Sequence, residues 1–131
     1  GLSKQGETAL DIAAYAAHMA ALLGAHIIKV KPPADAPEQP EATSVYQATG
    51  LPRSALAERV NHIMQASFAG RRIVVFSGGA AKDRDGLLDE VRALRDGGAN
   101  GSIIGRNTFQ RPRDEALDLL GDIIDIYRGK I

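Results

Sequence analysis

His26-Ile27-Ile28-Lys29-Val30-Lys31, followed at once by Pro32-Pro33, is the stretch that decides the fold. Ile27, Ile28 and Val30 are β-branched and the run is short, so a strand is predicted. The two prolines end it, because they have no N–H to give to a ladder. Side chains alternate along a strand, so Lys29 and Lys31 share one face while Ile28 and Val30 share the other. Two cations on one face of a buried strand need a reason, since an unpaired buried ammonium is costly.

Upstream of that strand, apolar residues recur at helical spacing from Glu7 to Leu23, rich in alanine, and Gly24 supplies a stop. Downstream, Pro32 to Pro52 shows no apolar period and reads as a long, proline-rich loop. Loops of that length are uncommon in compact domains unless they line or cover a site. Ser54 to Phe68 follows as a helix, with Leu56, Val60, Ile63 and Met64 on one face. Arg72 to Ser77 is a second apolar strand running into Gly78-Gly79. A helix over Asp85 to Asp96 is closed by Gly97-Gly98, and Gly101 to Ile104 forms a third strand ending at Gly105-Arg106-Asn107. Glu115 to Arg128 is a last amphipathic helix.

Alternating β and α elements predict an α/β fold with a parallel sheet and helices outside it. Three strands are few for this much helix. They are either the last three of eight in a (β/α)8 TIM barrel or a small open sheet. In such barrels the chemistry sits on the loops after the strands, with phosphate commonly held after strands seven and eight. The glycine-rich turns here follow the second and third strands, which would make the lysine strand the sixth.

Composition narrows the function. Lysine plus arginine and aspartate plus glutamate each number 16, so the formal charge is zero. No global field draws the chain to nucleic acid or to an anionic membrane. There is no cysteine, hence no disulfide framework, thiolate nucleophile or Cys-based metal site. No apolar run approaches the roughly 18 residues of a membrane span. A soluble, cytoplasmic protein is expected, and Gly1-Leu2-Ser3 in place of an initiator Met points to an N-terminus further upstream.

A chemical reason for the paired lysines exists. Desolvation and a neighbouring cation both favour the neutral amine, the form that attacks a ketone to give a Schiff base. Spacing alone favours the plainer alternative, in which one or both lie near the strand end, solvated or paired with a carboxylate. Ser77-Gly78-Gly79 and Gly105-Arg106-Asn107 stand on consecutive strand-to-helix turns. Glycine lets a backbone approach an anion, and an arginine fork can pair with phosphate. Singly each is more often just a turn; as a pair they carry more weight. His18, His26 and His62 make no metal-ligand spacing and read as structural. Asp83, Arg84 and Asp85 read as the start of a helix. Arg111 reads as part of a solvated loop, though near enough in sequence to assist the arginine turn.

Ala-His-Ile-Ile-Lys-Val-Lys (25–31), Ile-Val-Val-Phe-Ser-Gly-Gly-Ala (73–80) and Gly-Ser-Ile-Ile-Gly-Arg-Asn-Thr-Phe-Gln (101–110) together resemble the end of a class I fructose-bisphosphate aldolase of the archaeal and bacterial form. The likeness covers nearly the whole chain outside residues 32–52. It implies the C-terminal part of a TIM barrel, about strands six to eight, with Lys29 as the Schiff-base lysine. Lys31 would be a second cation facing the same cavity. Ser77, Gly78, Gly79, Gly105 and Arg106 would bind a phosphate of the sugar-phosphate substrate. It further implies a homo-oligomer that needs no metal and no cofactor. Three strands cannot enclose a substrate, so residues 1–131 are expected to be one piece of a larger protein whose upstream segment supplies the rest of the barrel. The competing expectations are a related Schiff-base enzyme, of the heptulosonate synthase or autoinducer-phosphate type, and a non-catalytic sugar-phosphate-binding half-barrel.

Overall fold

The computed structural model describes residues 2–77 and 81–131. A 3-10 turn at Gly6–Thr8 leads into α1 (Leu10–Leu22), β1 (Ile27–Val30), α2 (Pro40–Thr49) and α3 (Leu56–Ala66). Then come β2 (Ile73–Ser77), α4 (Arg84–Asp96), β3 (Gly101–Ile103), α5 (Arg106–Phe109) and α6 (Arg113–Tyr127). The strands form one parallel sheet in the order β1-β2-β3. Lys29 stands opposite Val75, Val75 opposite Gly101, and Ser77 opposite Ile103. Because all strands run the same way, the turns that leave them share one rim.

The two faces of the sheet differ sharply. Ile28, Val74 and Phe76 are 4%, 0% and 1% exposed, packed with Leu10, Ala17, Val60 and Ile63 of α1 and α3. Each such side chain contributes roughly 1.5–3 kcal/mol by leaving water. A second cluster joins α4 to α6 through Leu87, Val91, Leu119 and Ile126. Helix α3 comes close to the end of α4 because Gly97 has no side chain; a Cβ there would lie 2.5 Å from the Val60 Cβ and 2.6 Å from the Ala57 carbonyl oxygen. On the opposite face Ile27, Ile73 and Ile103 are 63%, 47% and 51% exposed. Parallel sheets are normally covered on both sides. Among the described residues nothing covers this second face, which is what the interior face of a partial barrel looks like. No helix among them is long and apolar enough to cross a membrane.

Two parts of the chain depart from the sequence reading. The loop expected from Pro32 to Pro52 contains α2, a helix none of whose residues is buried. An exposed helix leaves no apolar period, which is why it did not show. Its ends are nonetheless marked, by Pro40 in the first turn and by Gly50 in the left-handed conformation, φ 62°, at its C-cap. The first helix begins at Leu10 rather than Glu7, the preceding residues forming the 3-10 turn. From there a parallel bridge joins Ala9 to Ala34, so the chain ahead of α1 runs beside the exit of β1.

Asp11 holds α2 in place. Its carboxylate, 8% exposed, accepts from the Glu38 and Gln39 amides at 2.8 and 2.9 Å, the two residues just before α2. Asp11→Ala should cost about 2 kcal/mol, the range for a lost helix cap with charge-assisted hydrogen bonds. Asp11→Asn, which keeps one acceptor, should cost less. Urea unfolding midpoints at unchanged slope would measure both.

Candidate active site at the strand ends

The rim gathers three of the seven residues singled out for chemistry, Ser77, Gly105 and Arg106. Ser77 ends β2, and Ile104-Gly105 leaves β3 for the single turn of α5, whose N-cap is Gly105. A cleft of about 230 Å³ opens between these strand ends and α4, lined by Ser77, Glu90, Ile103, Gly105, Arg106 and Asn107 among others. Ser77, Gly105 and Arg106 are thus brought to one concavity from turns that lie far apart in the chain. Gly78 and Gly79 lie outside the described residues. Arg106 is exposed at the rim, where its guanidinium can meet an anion without first breaking a buried contact.

Lys29 is exposed on the uncovered face, between the exposed Ile27 and the end of the strand, while its neighbour Ile28 is buried among the helices. It does not line the cleft. The register puts its Cα one strand across and two residues short of Ser77, about 8 Å away for ideal strand spacing. Lys31 follows the strand, and its ammonium lies 3.6 Å from the Glu7 carboxylate, the two side chains 57% and 60% exposed. An ion pair that open contributes at most about 1 kcal/mol. It also gives Lys31 an acidic neighbour of its own.

The groups whose titration is displaced lie elsewhere. Burial pushes the Tyr46 hydroxyl up, helped by the charge of Asp11, and pushes His62 down. The two are hydrogen-bonded at 3.0 Å, in edge-on ring contact between α2 and α3. Burial likewise raises Tyr127, whose hydroxyl meets that of Ser102 at 2.6 Å behind β3. His18 Nδ1 lies 2.8 Å from the Ala66 carbonyl oxygen. The Tyr46–His62 and Tyr127–Ser102 pairs are accounted for by packing against the helices. Asp83 caps α4 by accepting from the Gly86 amide at 3.2 Å.

Lys82 and Glu90 are not singled out by the sequence, whereas Asn107 reads as part of the arginine turn and Arg111 as near enough to assist it; of the four, Glu90 and Asn107 line the cleft. Lys82 and Glu90 form an ion pair beside it. Asn107 Oδ1 accepts from the Lys82 amide at 2.9 Å, and the Arg111 guanidinium donates to the Lys82 carbonyl at 2.9 Å and to the Asn107 carbonyl at 2.7 Å. The four-residue spacing of Asn107 and Arg111 was visible in the sequence, but contacts to a residue 25 or 29 positions away were not.

Parallel βα units, helices on the outer face and a polar rim at the strand ends define a segment of a (β/α)8 barrel. The profile described as DeoC/LacD family aldolase matches residues 3–111, and the chain belongs to that family. It is 31% identical over 130 residues to a probable class 1 fructose-bisphosphate aldolase of Chlamydia muridarum, covering 92% of this chain and 36% of that protein. It is 35% identical over 108 residues to a class 1 fructose-bisphosphate aldolase of Halobacterium salinarum, covering 82% of this chain and 32% of that one. The crystal structure of an archaeal fructose 1,6-bisphosphate aldolase superposes with a TM-score of 0.69 at 27% identity, over 94% of this chain and 39% of that one. A fructose-bisphosphate aldolase from Slackia heliotrinireducens gives 0.65 at 27% identity, over 95% and 38%. The chain therefore spans about a third of the length of these relatives, between 32% and 39%, and within that span it is a partial barrel of the DeoC/LacD aldolase family, similar to class 1 fructose-bisphosphate aldolases.

Proposed function

We propose that residues 1–131 are the C-terminal portion of a single TIM-barrel domain that catalyses the reversible cleavage of fructose 1,6-bisphosphate to dihydroxyacetone phosphate and glyceraldehyde 3-phosphate. The observation that carries this reading is the register: Lys29 lies on the uncovered face, one strand from Ser77, whose cleft also holds Gly105 and Arg106. A ketose phosphate held by that cleft presents its C2 carbonyl toward β1, and Gly78 and Gly79 are assigned to the same phosphate on the sequence resemblance alone. The Lys29 amine adds to C2 and water leaves, giving an iminium. When the C3–C4 bond breaks, its electron pair flows to the iminium nitrogen, leaving an enamine, while the C4 hydroxyl loses its proton to a base. That base comes from the segment that covers the open face or from residues 32–52. Protonation of the enamine and hydrolysis release dihydroxyacetone phosphate and restore Lys29. The cleft acts by positioning, because an aligned carbonyl needs no further search for the amine. Lys31 follows the same strand, with its charge offset by Glu7.

Reduction with borohydride in the presence of dihydroxyacetone phosphate tests the assignment on the complete protein. Peptide mass analysis should find the reduced adduct on Lys29. An adduct on another lysine, or none, overturns it.

A further inference from the structure

We propose that Arg59 is a positioning residue that fixes the exit of the lysine strand, and through it the alignment of Lys29 with the rim cleft. The inference rests on the reading of Lys29 as the Schiff-base lysine and of the cleft as the seat of the substrate's phosphate. The ladder between β1 and β2 ends at the pair Val30–Phe76. Beyond it Lys31, Pro32 and Pro33 lead out along the rim, and the two prolines have no N–H with which to extend the sheet. Pro32 nonetheless lines the cleft. What lies between the last ladder pair and that wall of the cleft is held from outside the sheet.

The hold comes from α3. Arg59 Nε donates to the Pro33 carbonyl at 2.9 Å, and Nη1 donates to the Arg53 and Ser54 carbonyls at 2.8 and 2.7 Å. Pro33 is buried, so its carbonyl would be costly to leave without a donor. One half-buried guanidinium thus joins the point where the chain leaves β1 to the point where it returns after α2. On the other side the Ala34 amide donates to the Thr8 carbonyl at 2.7 Å, which ties the exit to the chain ahead of α1 and not to α3. Arg53 bridges the same two feet through the Asp35 carboxylate at 3.7 Å, without touching Pro33. The geometry also states why residue 59 is an arginine. A planar guanidinium serves several carbonyls at fixed angles, whereas an ammonium on a flexible stem is a point charge.

An amine and a carbonyl held by different elements react well only if their separation is fixed to about half an ångström. A misplacement of about 1 Å can cost about 10²-fold. The complete protein, with Arg59→Met, Arg59→Lys and Arg53→Ala, tests whether Arg59 supplies that precision. Borohydride trapping on Lys29 with saturating dihydroxyacetone phosphate should slow about tenfold in Arg59→Met, and kcat for the bisphosphate should fall with it. With unphosphorylated dihydroxyacetone, which the cleft does not hold, trapping should stay within about twofold of the wild type. Arg59→Lys should be slowed less than Arg59→Met. Arg53→Ala should change either rate by less than about twofold, since Pro33 keeps its donor. An Arg53→Ala as slow as Arg59→Met overturns the proposal in favour of mere closure of the segment around α2. Equal slowing with both ketones overturns it in favour of general disruption of β1, and wild-type rates in Arg59→Met overturn it outright. Should Arg59→Met not fold, the two-ketone comparison on Arg59→Lys decides in the same way. Failure of the underlying reading looks different: the wild type itself would carry its adduct on another lysine, or would trap both ketones equally well.

Discussion

Lys29→Met in the complete protein should reduce bisphosphate cleavage by at least about 10⁴-fold, roughly 5.5 kcal/mol of transition-state stabilisation. The amine is the only group in the proposed sequence that becomes the electron sink, so nothing else on the rim can replace it. Methionine has nearly the same length and no nucleophilic nitrogen. The substitution should leave the fold intact, because the side chain stands on the uncovered face and the core contacts of β1 belong to Ile28. Thermal unfolding within a degree or two of the wild type would confirm that the loss is chemical. Lys31→Met provides the contrast: its ammonium sits against Glu7, so the reduced adduct should still form on Lys29. Retention of cleavage in Lys29→Met, or transfer of the adduct to Lys31, would require the assignment on β1 to be exchanged.

The alternation in residues 26–31 sets the faces of β1, because Ile28 has to go to the helices if the strand is to be buried at all. Strand order and parallel direction followed from the alternation of strand and helix signals. The turns at Ser77 and at Gly105-Arg106 were legible as glycines after apolar runs, and the structure places Ser77, Gly105 and Arg106 around one cleft. Helix α2 was not legible, since none of its residues is buried and periodicity reports burial. Arg111 is legible only in part: its nearness to the arginine turn shows, and its bond to the Asn107 carbonyl agrees with that, but its contact with Lys82 does not show. An arginine between a glutamine and a proline looks like solvated loop, and only the return of the chain from Lys82 shows where its donors go. Local physics is written in neighbouring residues; the partners of a long polar side chain are fixed by the path of the whole chain.

That division makes opposite predictions for the two faces of one sheet. Phe76→Ala should destabilise the protein by about 3–5 kcal/mol, the range for truncating a fully buried aromatic side chain. Phe76 is 1% exposed and packs in the cluster that contains Ile28, Val74, Val60 and Leu94, so no rearrangement of surface groups can fill the space it leaves. A loss of that size is a large share of the 5–15 kcal/mol that holds a typical domain together. Urea unfolding should show a lower midpoint at unchanged slope, and Phe76→Leu, nearer in volume, should cost less than about 1.5 kcal/mol. Phe76 also borders the rim cleft, directly before Ser77. In molecules that remain folded, the void beneath Ser77 should therefore raise KM for the bisphosphate while the borohydride adduct still forms on Lys29. Lys29→Met should do the reverse, removing the adduct and sparing the fold. If Phe76→Ala left stability unchanged, the helix side of the sheet could not be the core, and the face assigned to Lys29 would lose its basis.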